Sequence, residues 1–282
     1  MDTVKSFYHQ TIDRKNLFLA DKGRTSATGF DPSVQWFQRV DELPESHMVC
    51  EYLTKRKIPK RAWSDLWFTE NFLAYGKELQ RSQLSTVNLV GMSAGVPDTD
   101  YRIVMVARSA SGDVTALNAR RITANLKDKD RYLTLEANPS PDRWCLHGLH
   151  TANTKERVWL VEGPIDSLLV KNGVAICGIT STKSRRGELK SMFKNYVVVL
   201  DNEPEKTYVA NSLRECVESG DQVMVWPSNY PYKDLNEMAQ AGMTETEIVE
   251  FLNLNTYQGD VALVEWWRWK ATAPATVIYS KT

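Results

Sequence analysis

The chain has 282 residues, of which 42% are apolar and 25% charged, and this composition is typical of a soluble protein with one large domain or two small ones. Lys plus Arg and Asp plus Glu number 35 each, so the net charge gives no reason to expect nucleic-acid binding. No segment approaches the roughly 18 apolar residues that span a bilayer, and residues 1–10 lack a signal-peptide core. We therefore expect a cytoplasmic protein that does not bind membranes.

The spacing of cysteine and histidine excludes two common kinds of site. The four cysteines form no C-x-x-C pair, which argues against a zinc ribbon and against a disulfide framework. The four histidines share no metal-ligand spacing, so we expect no zinc in this chain. A G-x-x-x-x-G-K-[ST] sequence is also missing, so any helicase motor must be a separate protein.

The N-terminal third combines a loose arm with basic and aromatic residues. We expect residues 1–45 to form the arm and residues 44–56 a helix. Five cations lie between Lys55 and Arg61, and four large apolar residues follow at helical spacing: Trp63, Leu66, Trp67 and Phe68. These residues could bind a single strand by stacking and charge, or they could be a solvated helix end beside core tryptophans.

A β-hairpin is predicted next. Residues 101–106 and 114–119 have the apolar and β-branched composition of strands, and the turn sequence of residues 109–113 separates them. The second strand ends at Arg120 and Arg121.

Val158 to Val161 has the length and β-branching of a fully buried strand and ends at Glu162. Gly163 permits a close approach of the backbone, and Pro164 suits the first turn of a helix predicted to reach Lys171. Open α/β sheets bind ligands at the carboxyl ends of their strands, so Glu162 is a candidate site residue.

Two further apolar runs also lead to acids. Residues 196–200 precede Asp201 and Glu203, and residues 222–227 precede Asp234 after a short loop. If the three strands are parallel neighbours, these carboxylates meet at one edge of the sheet. Such a cluster repels itself unless cations occupy it.

The acid cluster without histidine or thiol ligands favours a hard cation such as Mg²⁺, which uses carboxylates, waters and substrate phosphates. Two ions about 3.5–4 Å apart would stabilise the attacking and leaving oxygens of a phosphoryl transfer. The alternative is that each acid merely caps the next helix.

The residues Glu162-Gly163-Pro164-Ile165-Asp166, then Asp201-Asn202-Glu203, then Lys233-Asp234-Leu235-Asn236-Glu237 resemble the Toprim domain of bacterial-type primases, topoisomerases and some nucleases. The family's Asp-x-Asp ends here in Glu203, and Pro204 follows. This variant is most similar to the primase of tailed phages that works beside a hexameric replicative helicase. Asn236 stands where many bacterial primases carry another acid, and the family's usual N-terminal zinc ribbon is not encoded.

The resemblance implies an α/β fold with a Toprim-type parallel sheet flanked by helices. A mixed α+β primase subdomain would precede it, and a short helical tail would follow. The implied division is 1–98 for a mostly helical N-terminal part, 99–152 for a small β-rich basic subdomain, 153–240 for the Toprim domain and 241–282 for the helical tail.

The resemblance also implies roles for individual residues. Glu162, Asp201 and Glu203 would be catalytic, and together with Asp234 they would bind Mg²⁺, or Mn²⁺ in its place. Asp166 would be a nearby supporting acid. The candidates for nucleotide or nucleic-acid binding are Arg120, Arg121, Arg131 and Lys183.

The implied function is that of a DNA primase core that makes short RNA primers from nucleoside triphosphates on single-stranded DNA in phage-type replication. Expected partners are the template, nucleoside triphosphates and the hexameric helicase, in the host cytoplasm if a phage encodes the protein. Either a separate chain supplies the zinc ribbon, or the start site is selected in another way. The alternatives are a Toprim nuclease and a non-catalytic accessory protein, whereas the chain has no room for a topoisomerase gate. The tail residues Trp266, Trp267 and Trp269 either contact the helicase or pack on the domain.

Overall fold

This structure is a computed structural model, and it describes residues 36–81, 87–90, 100–112, 114–123, 131–137, 146–177 and 182–273. For residues 78–81, 87–90 and 182–185 only the course of the backbone is described. Most of the predicted N-terminal arm and the side chain of Lys183 lie outside the described residues.

The strands follow one another as β1 (Gln38–Arg39), β2 (Leu66–Thr69), β3 (Val87–Val90), β4 (Arg102–Arg108), β5 (Val114–Arg121), β6 (Tyr132–Ala137), β7 (Val158–Val161), β8 (Gly173–Ala175), β9 (Tyr196–Val199), β10 (Gln222–Met224) and β11 (Thr256–Tyr257). The α-helices are α1 (Met48–Lys55), α2 (Phe72–Arg81), α3 (Pro164–Ser167), α4 (Thr182–Met192), α5 (Thr207–Glu218), α6 (Leu235–Gln240), α7 (Glu245–Leu254) and α8 (Gly259–Lys270). Short 3₁₀ helices cover Val40–Glu42, Lys60–Asp65 and Leu149–Thr151.

The backbone contacts divide the chain into two compact units. The first unit consists of Met1–Leu43 and Trp63–Arg143, and the second of Pro44–Ala62 and Trp144–Thr282. Helix α1 therefore belongs to the second unit, although it precedes most of the first in sequence. The four-part division inferred from the family resemblance stays a prediction.

The first unit contains an antiparallel sheet in the order β1-β2-β4-β5-β6-β3. Strands β4 and β5 pair from Arg102 opposite Arg121 to Arg108 opposite Val114, which confirms the predicted hairpin. The helical interpretation of Leu66, Trp67 and Phe68 was wrong, because these residues form β2, which is buried throughout. A buried strand shows no alternation of polar and apolar residues, so its sequence pattern resembles that of a buried helix.

An aromatic core supports this sheet. Trp67, Phe72 and Tyr75 are buried against Val104 and other strand residues. The ring of Phe37 meets that of Tyr75 edge to face, with the ring centroids 4.7 Å apart. This geometry is favourable for aromatic pairs, so the two rings stabilise the core through their mutual orientation as well as through the area that they bury.

The second unit contains a five-stranded sheet in the order β11-β10-β9-β7-β8. Strands β10, β9, β7 and β8 are parallel and β11 is an antiparallel edge strand. The prediction that the three acid-terminated runs are parallel neighbours is therefore confirmed, with β9 in the middle. No helix in the described part of the chain is long and apolar enough to cross a membrane.

Helix α3 is shorter than expected, since it ends at Ser167 instead of Lys171. The chain then turns through Asn172, whose φ of 63° lies in the left-handed region, and enters β8 at Gly173. A Cβ at Gly173 would lie 2.5 Å from the carbonyl oxygen of Ser167. Because the backbone at position 173 approaches that of Ser167 so closely, only glycine fits there, and the chain cannot continue as a helix through this position.

Candidate active site

The carboxyl ends of three parallel strands bring acidic side chains to one edge of the second unit's sheet. Glu162 directly follows β7, Asp201 follows β9 after one residue, and Asp234 precedes α6 beyond β10. A small cleft is lined by Glu162, Asp166, Asp201 and Asp234 together with Trp226 and the ends of the strands. Glu203 does not line this cleft, but its charge acts on both Glu162 and Asp201.

Burial and mutual repulsion shift the protonation of two of these acids. Burial, and then the charges of Asp201 and Glu203, raise the pKa of Glu162 to about 7. Its Oε2 atom is buried and has no hydrogen-bond partner among the described residues. Burial also raises the pKa of Asp201 to about 6, with the charge of Lys233 opposing it and those of Asp234 and Glu203 adding to it. The cleft therefore concentrates negative charge, which the backbone hydrogen bond of Asp201 and the charge of Lys233 only partly offset at Glu162.

Two lysines neutralise the other side of the cluster. The Nζ of Lys233 lies 3.0 Å from Glu203 Oε1 and 3.4 Å from Asp201 Oδ2, and the Nζ of Lys206 lies 2.6 Å from Glu203 Oε1. Burial works against ionisation of Glu203, but the hydrogen bonds from Lys206 and Lys233 hold its pKa below the ordinary value. Neither lysine was among the predicted site residues.

Asn202, between two of the candidate ligands, fixes the loop that carries them. Its backbone N–H donates to the carbonyl oxygen of Lys233 at 2.6 Å, and its Nδ2 donates to the carbonyl oxygens of Tyr230 and Tyr232 at 3.1 and 2.9 Å. Its Oδ1 accepts from Trp269 Nε1 at 2.7 Å. Because every polar group of the side chain has a partner, the loop between Asp201 and Glu203 has one defined course.

The tryptophans of the tail are therefore mostly structural. Trp269 and Trp266 are buried, and Trp266 Nε1 donates to the carbonyl oxygen of Ala210 in α5 at 3.0 Å. The idea that Trp266 and Trp269 form a partner surface was wrong, because their indole N–H groups are used inside this unit. Trp267 is 57% exposed and is the tail tryptophan that a partner could reach.

Trp269→Ala is expected to lower the free energy of unfolding by about 3–5 kcal/mol, because it leaves a large cavity and an unpaired Asn202 Oδ1. Trp267→Ala on the same helix should change it by less than about 0.5 kcal/mol. Urea unfolding followed by circular dichroism compares the two. Equal stability losses would contradict the buried position of Trp269.

The side chain of Asp166 holds the first turn of helix α6 by a hydrogen bond. Its Oδ1 accepts from the backbone N–H of Asn236 at 3.1 Å, in the first turn of α6. Asp234 caps the same helix by accepting from the N–H of Glu237 at 2.8 Å. The Asn236 side chain accepts from Arg56 Nη1 at 2.6 Å and donates to the Arg56 carbonyl oxygen at 2.7 Å. Arg56 and Asp166 therefore fix the helix that presents Asp234, and Asn236 is committed to this contact.

The three arginines predicted to bind nucleotide or nucleic acid lie in the first unit. Arg120 Nη1 donates to the Tyr132 hydroxyl at 2.5 Å, and its guanidinium lies 5.1 Å from the centre of that ring. Arg121 is buried and pairs with Asp100, whereas Arg131 is exposed. Their contact with nucleic acid, and that of Lys183, stay predictions.

The rings after the basic cluster do not offer a stacking surface. Trp63, Trp67 and Phe68 are each at most 4% exposed, which supports the interpretation as core residues. Arg56 is the member of the cluster whose guanidinium lies over an aromatic ring, that of Tyr52, at 5.2 Å.

The chemistry of the cleft fits a hard divalent cation. All candidate ligands are carboxylate oxygens, one of them is buried without a partner, and burial together with neighbouring acids raises the pKa values of Glu162 and Asp201. Among the described residues no three His, Cys, Asp or Glu groups are arranged around one point as metal ligands. Asp201 and Glu203 instead pair with lysine, so metal binding requires a local rearrangement of side chains.

The metal-free protein is expected to lose stability as the pH rises from about 5 to 8. Glu162 and Asp201 have folded pKa values of about 7 and about 6, above their ordinary values of 4.5 and 3.8. The folded state therefore binds more protons than the unfolded state in this range, and the free energy of unfolding falls with pH by about 2–3 kcal/mol. Glu162→Gln should make the free energy of unfolding depend less steeply on pH. Glu250→Gln, at an exposed position, should leave this dependence unchanged. If urea titrations show the same pH dependence of stability in the wild type and in both variants, Glu162 is not the group responsible.

No model of a protein family matches the chain. Over 233 residues the chain is 30% identical to the DNA primase of Enterobacteria phage T4, a match that covers 79% of this chain and 60% of the phage protein. The chain therefore spans about three fifths of the length of that relative. The predicted similarity to a phage primase is confirmed at the level of sequence.

Solved primase structures share the fold. The zinc-binding and RNA polymerase domains of the Aquifex aeolicus primase match with a TM-score of 0.55 and 19% identity, covering 82% of this chain and 64% of that one. The DnaG primase catalytic domain bound to single-stranded DNA matches with a TM-score of 0.54 and 16% identity, covering 77% of each chain. The predicted α/β fold of a Toprim-type primase core is therefore confirmed, and at these identities the likeness shows the fold alone.

Proposed function

We propose that the chain is the catalytic core of a DNA primase, which joins nucleoside triphosphates into short RNA primers on a single-stranded DNA template. The observation that carries this proposal is the convergence of Glu162, Asp201 and Asp234 at the carboxyl edge of parallel strands. The sequence similarity to the phage T4 primase and the primase-core fold select this reaction among those that use an acidic cleft.

The reaction we propose is a nucleotidyl transfer. A primer 3′-hydroxyl loses its proton to water and its oxygen forms a bond to the α-phosphorus of the incoming triphosphate. The bond from that phosphorus to the oxygen bridging to the β-phosphate breaks, and pyrophosphate leaves. Glu162, Asp201, Glu203 and Asp234 would hold Mg²⁺, or Mn²⁺ in its place. When bound, this ion supplies positive charge for the phosphates and lowers the pKa of the attacking hydroxyl.

The residues of the chain then have distinct tasks. Glu162, Asp201 and Glu203 provide the negative charge that holds the cation, and Glu162 is assigned to this electrostatic role. Asp166 orients α6 and so places Asp234. Arg120, Arg121, Arg131 and Lys183 stay candidates for phosphate binding, because a polymerase must neutralise its substrates and template.

The proposed template is single-stranded DNA, as in the solved DnaG complex. A hexameric helicase is proposed as partner from the resemblance to phage primases, and the balanced net charge is consistent with weak binding of DNA by the chain alone. Tethering to a helicase on the same strand would raise the local DNA concentration to roughly the millimolar range.

The test combines circular single-stranded DNA, labelled ribonucleoside triphosphates and Mg²⁺, with and without the helicase encoded by the same genome. Formation of short labelled RNA that increases with helicase supports the proposal. Cutting of the circle without synthesis would identify a nuclease. Binding of DNA or helicase with neither reaction would identify an accessory protein.

A further inference from the structure

Lys233 contacts two of the acids that are proposed to hold the metal. It stands in the loop between β10 and α6, and its ammonium group contacts Glu203 at 3.0 Å and Asp201 at 3.4 Å. The side chains of these acids are only 9% and 21% exposed, whereas that of Lys233 is 39% exposed. Two acids of the cluster thus share one ammonium group that reaches them from the solvent side.

The backbone of Lys233 is fixed on both sides, so only its side chain is free to move. Its carbonyl oxygen accepts from the N–H of Asn202, and its own N–H donates to Glu237 Oε2 at 2.7 Å. Four rotatable bonds connect this fixed backbone to the ammonium group. The charge is therefore both held close to the acids and able to swing away from them.

The ion pairs of Lys233 do not include Glu162. Lys233 contacts Asp201 and Glu203, while the buried Oε2 of Glu162 has no partner among the described residues. The direct ion pairs of Lys233 thus lie on the Asp201 and Glu203 side of the cluster. A divalent cation that used Glu162 and Asp201 together would stand close to the ammonium group, and two like charges a few ångströms apart repel strongly at low dielectric constant.

We infer that Lys233 is an internal counter-ion of the acidic cleft, which divalent metal displaces when it binds. This inference rests on the proposed metal site. Lys233 stabilises the metal-free cleft by pairing with Asp201 and Glu203, and the same pairing weakens metal binding, because the ion pairs must break first. The affinity for metal is therefore set by this lysine as well as by the acids.

The first test measures metal binding directly, without DNA, nucleotide or turnover. Free Mn²⁺ is titrated in the presence of the protein and counted by electron paramagnetic resonance. Lys233→Met removes the charge and keeps a long apolar side chain, and we expect it to bind Mn²⁺ about tenfold more tightly, equivalent to about 1.4 kcal/mol. Lys233→Arg keeps the charge and should stay close to the wild type.

Lys60→Met is the matched control. Lys60 carries the same charge and pairs with Glu45 at 2.9 Å, but both side chains are largely exposed and neither belongs to the cleft. Its Mn²⁺ affinity should stay within twofold of the wild type. An unchanged dissociation constant in Lys233→Met, or an equal change in Lys60→Met, would overturn the inference.

Asp201→Asn separates this inference from the proposed function. If Asp201→Asn leaves Mn²⁺ binding unchanged, the metal site itself is misplaced and both proposals fail. If Asp201→Asn abolishes binding while Lys233→Met binds like the wild type, the metal site stands and only the counter-ion role fails.

A second test uses the unmodified sequence and does not depend on the folding of a variant. Reductive methylation of lysines is followed by mass spectrometry with and without saturating Mg²⁺. Release from its ion pairs should make the Lys233 amine several-fold more reactive in the presence of metal, whereas Lys60 should react at an unchanged rate. Equal reactivity of Lys233 in both conditions would show that metal does not displace it.

Discussion

Asp201→Asn is expected to abolish primer synthesis while leaving the protein folded. Asp201 stands at the end of the central strand β9 and shares the cleft with Glu162 and Asp234. Removing its charge would weaken the proposed metal contact, which at several kcal/mol in the transition state corresponds to a fall in rate of about 100- to 1000-fold. Because burial already raises the pKa of Asp201 to about 6, a neutral side chain is tolerated there, and the free energy of unfolding at pH 7.5 should not decrease.

The exposed Asp260 on α8 provides the control, since Asp260→Asn changes the net charge equally. Its synthesis rate should equal that of the wild type. Primer synthesis is measured with labelled triphosphates on single-stranded DNA, and folding by circular dichroism. Near-normal synthesis by folded Asp201→Asn would remove this residue from the proposed metal site.

The largest expected loss of stability comes from Asp100→Ala in the first unit. Asp100 is 3% exposed and accepts hydrogen bonds from the Nε atoms of Arg102 and Arg121, which are themselves buried. Removal of the carboxylate leaves two buried positive charges without their counter-ion. Such a change costs about 3–5 kcal/mol, and two affected arginines place it at the upper end of this range.

Asp41→Ala is the matched control for Asp100→Ala. Asp41 accepts from Arg39 at 2.6 Å in the same unit, but this pair is partly exposed, so its loss should cost less than about 1 kcal/mol. Urea unfolding monitored by tryptophan fluorescence compares both variants with the wild type. A loss below about 1 kcal/mol for Asp100→Ala would mean that water reaches the two arginines.

The acidic cleft was predictable from the sequence because its signal is local. Two apolar runs of four and five residues lead directly to Glu162 and Asp201, a third run precedes Asp234 after a short loop, and parallel strands align such ends at one edge. Glu162, Asp201 and Asp234 were found in this way, and the structure places them along one cleft.

The supporting contacts were not predictable because they join residues far apart in the chain. Asn202 and Trp269 are separated by 67 positions, and Arg56 and Asn236 by 180. Neither pair has a spacing that local periodicity could detect. The wrong helix at Leu66 to Phe68 has another cause, since burial on both faces removes the alternation that identifies a strand.

The hydrogen bond from Trp269 to Asn202 also has a consequence for the order of events during synthesis. The ribosome releases the chain from its N-terminus, so β7, β9 and all four carboxylates emerge before α8. Until Trp269 follows, the side chain of Asn202 lacks its donor and the loop between Asp201 and Glu203 is incomplete. A nascent chain halted before residue 269 would thus carry every acid of the cleft but lack one of the hydrogen bonds that fix the loop between Asp201 and Glu203, and this loop would gain its full set of contacts only when the last described helix has been released and has docked.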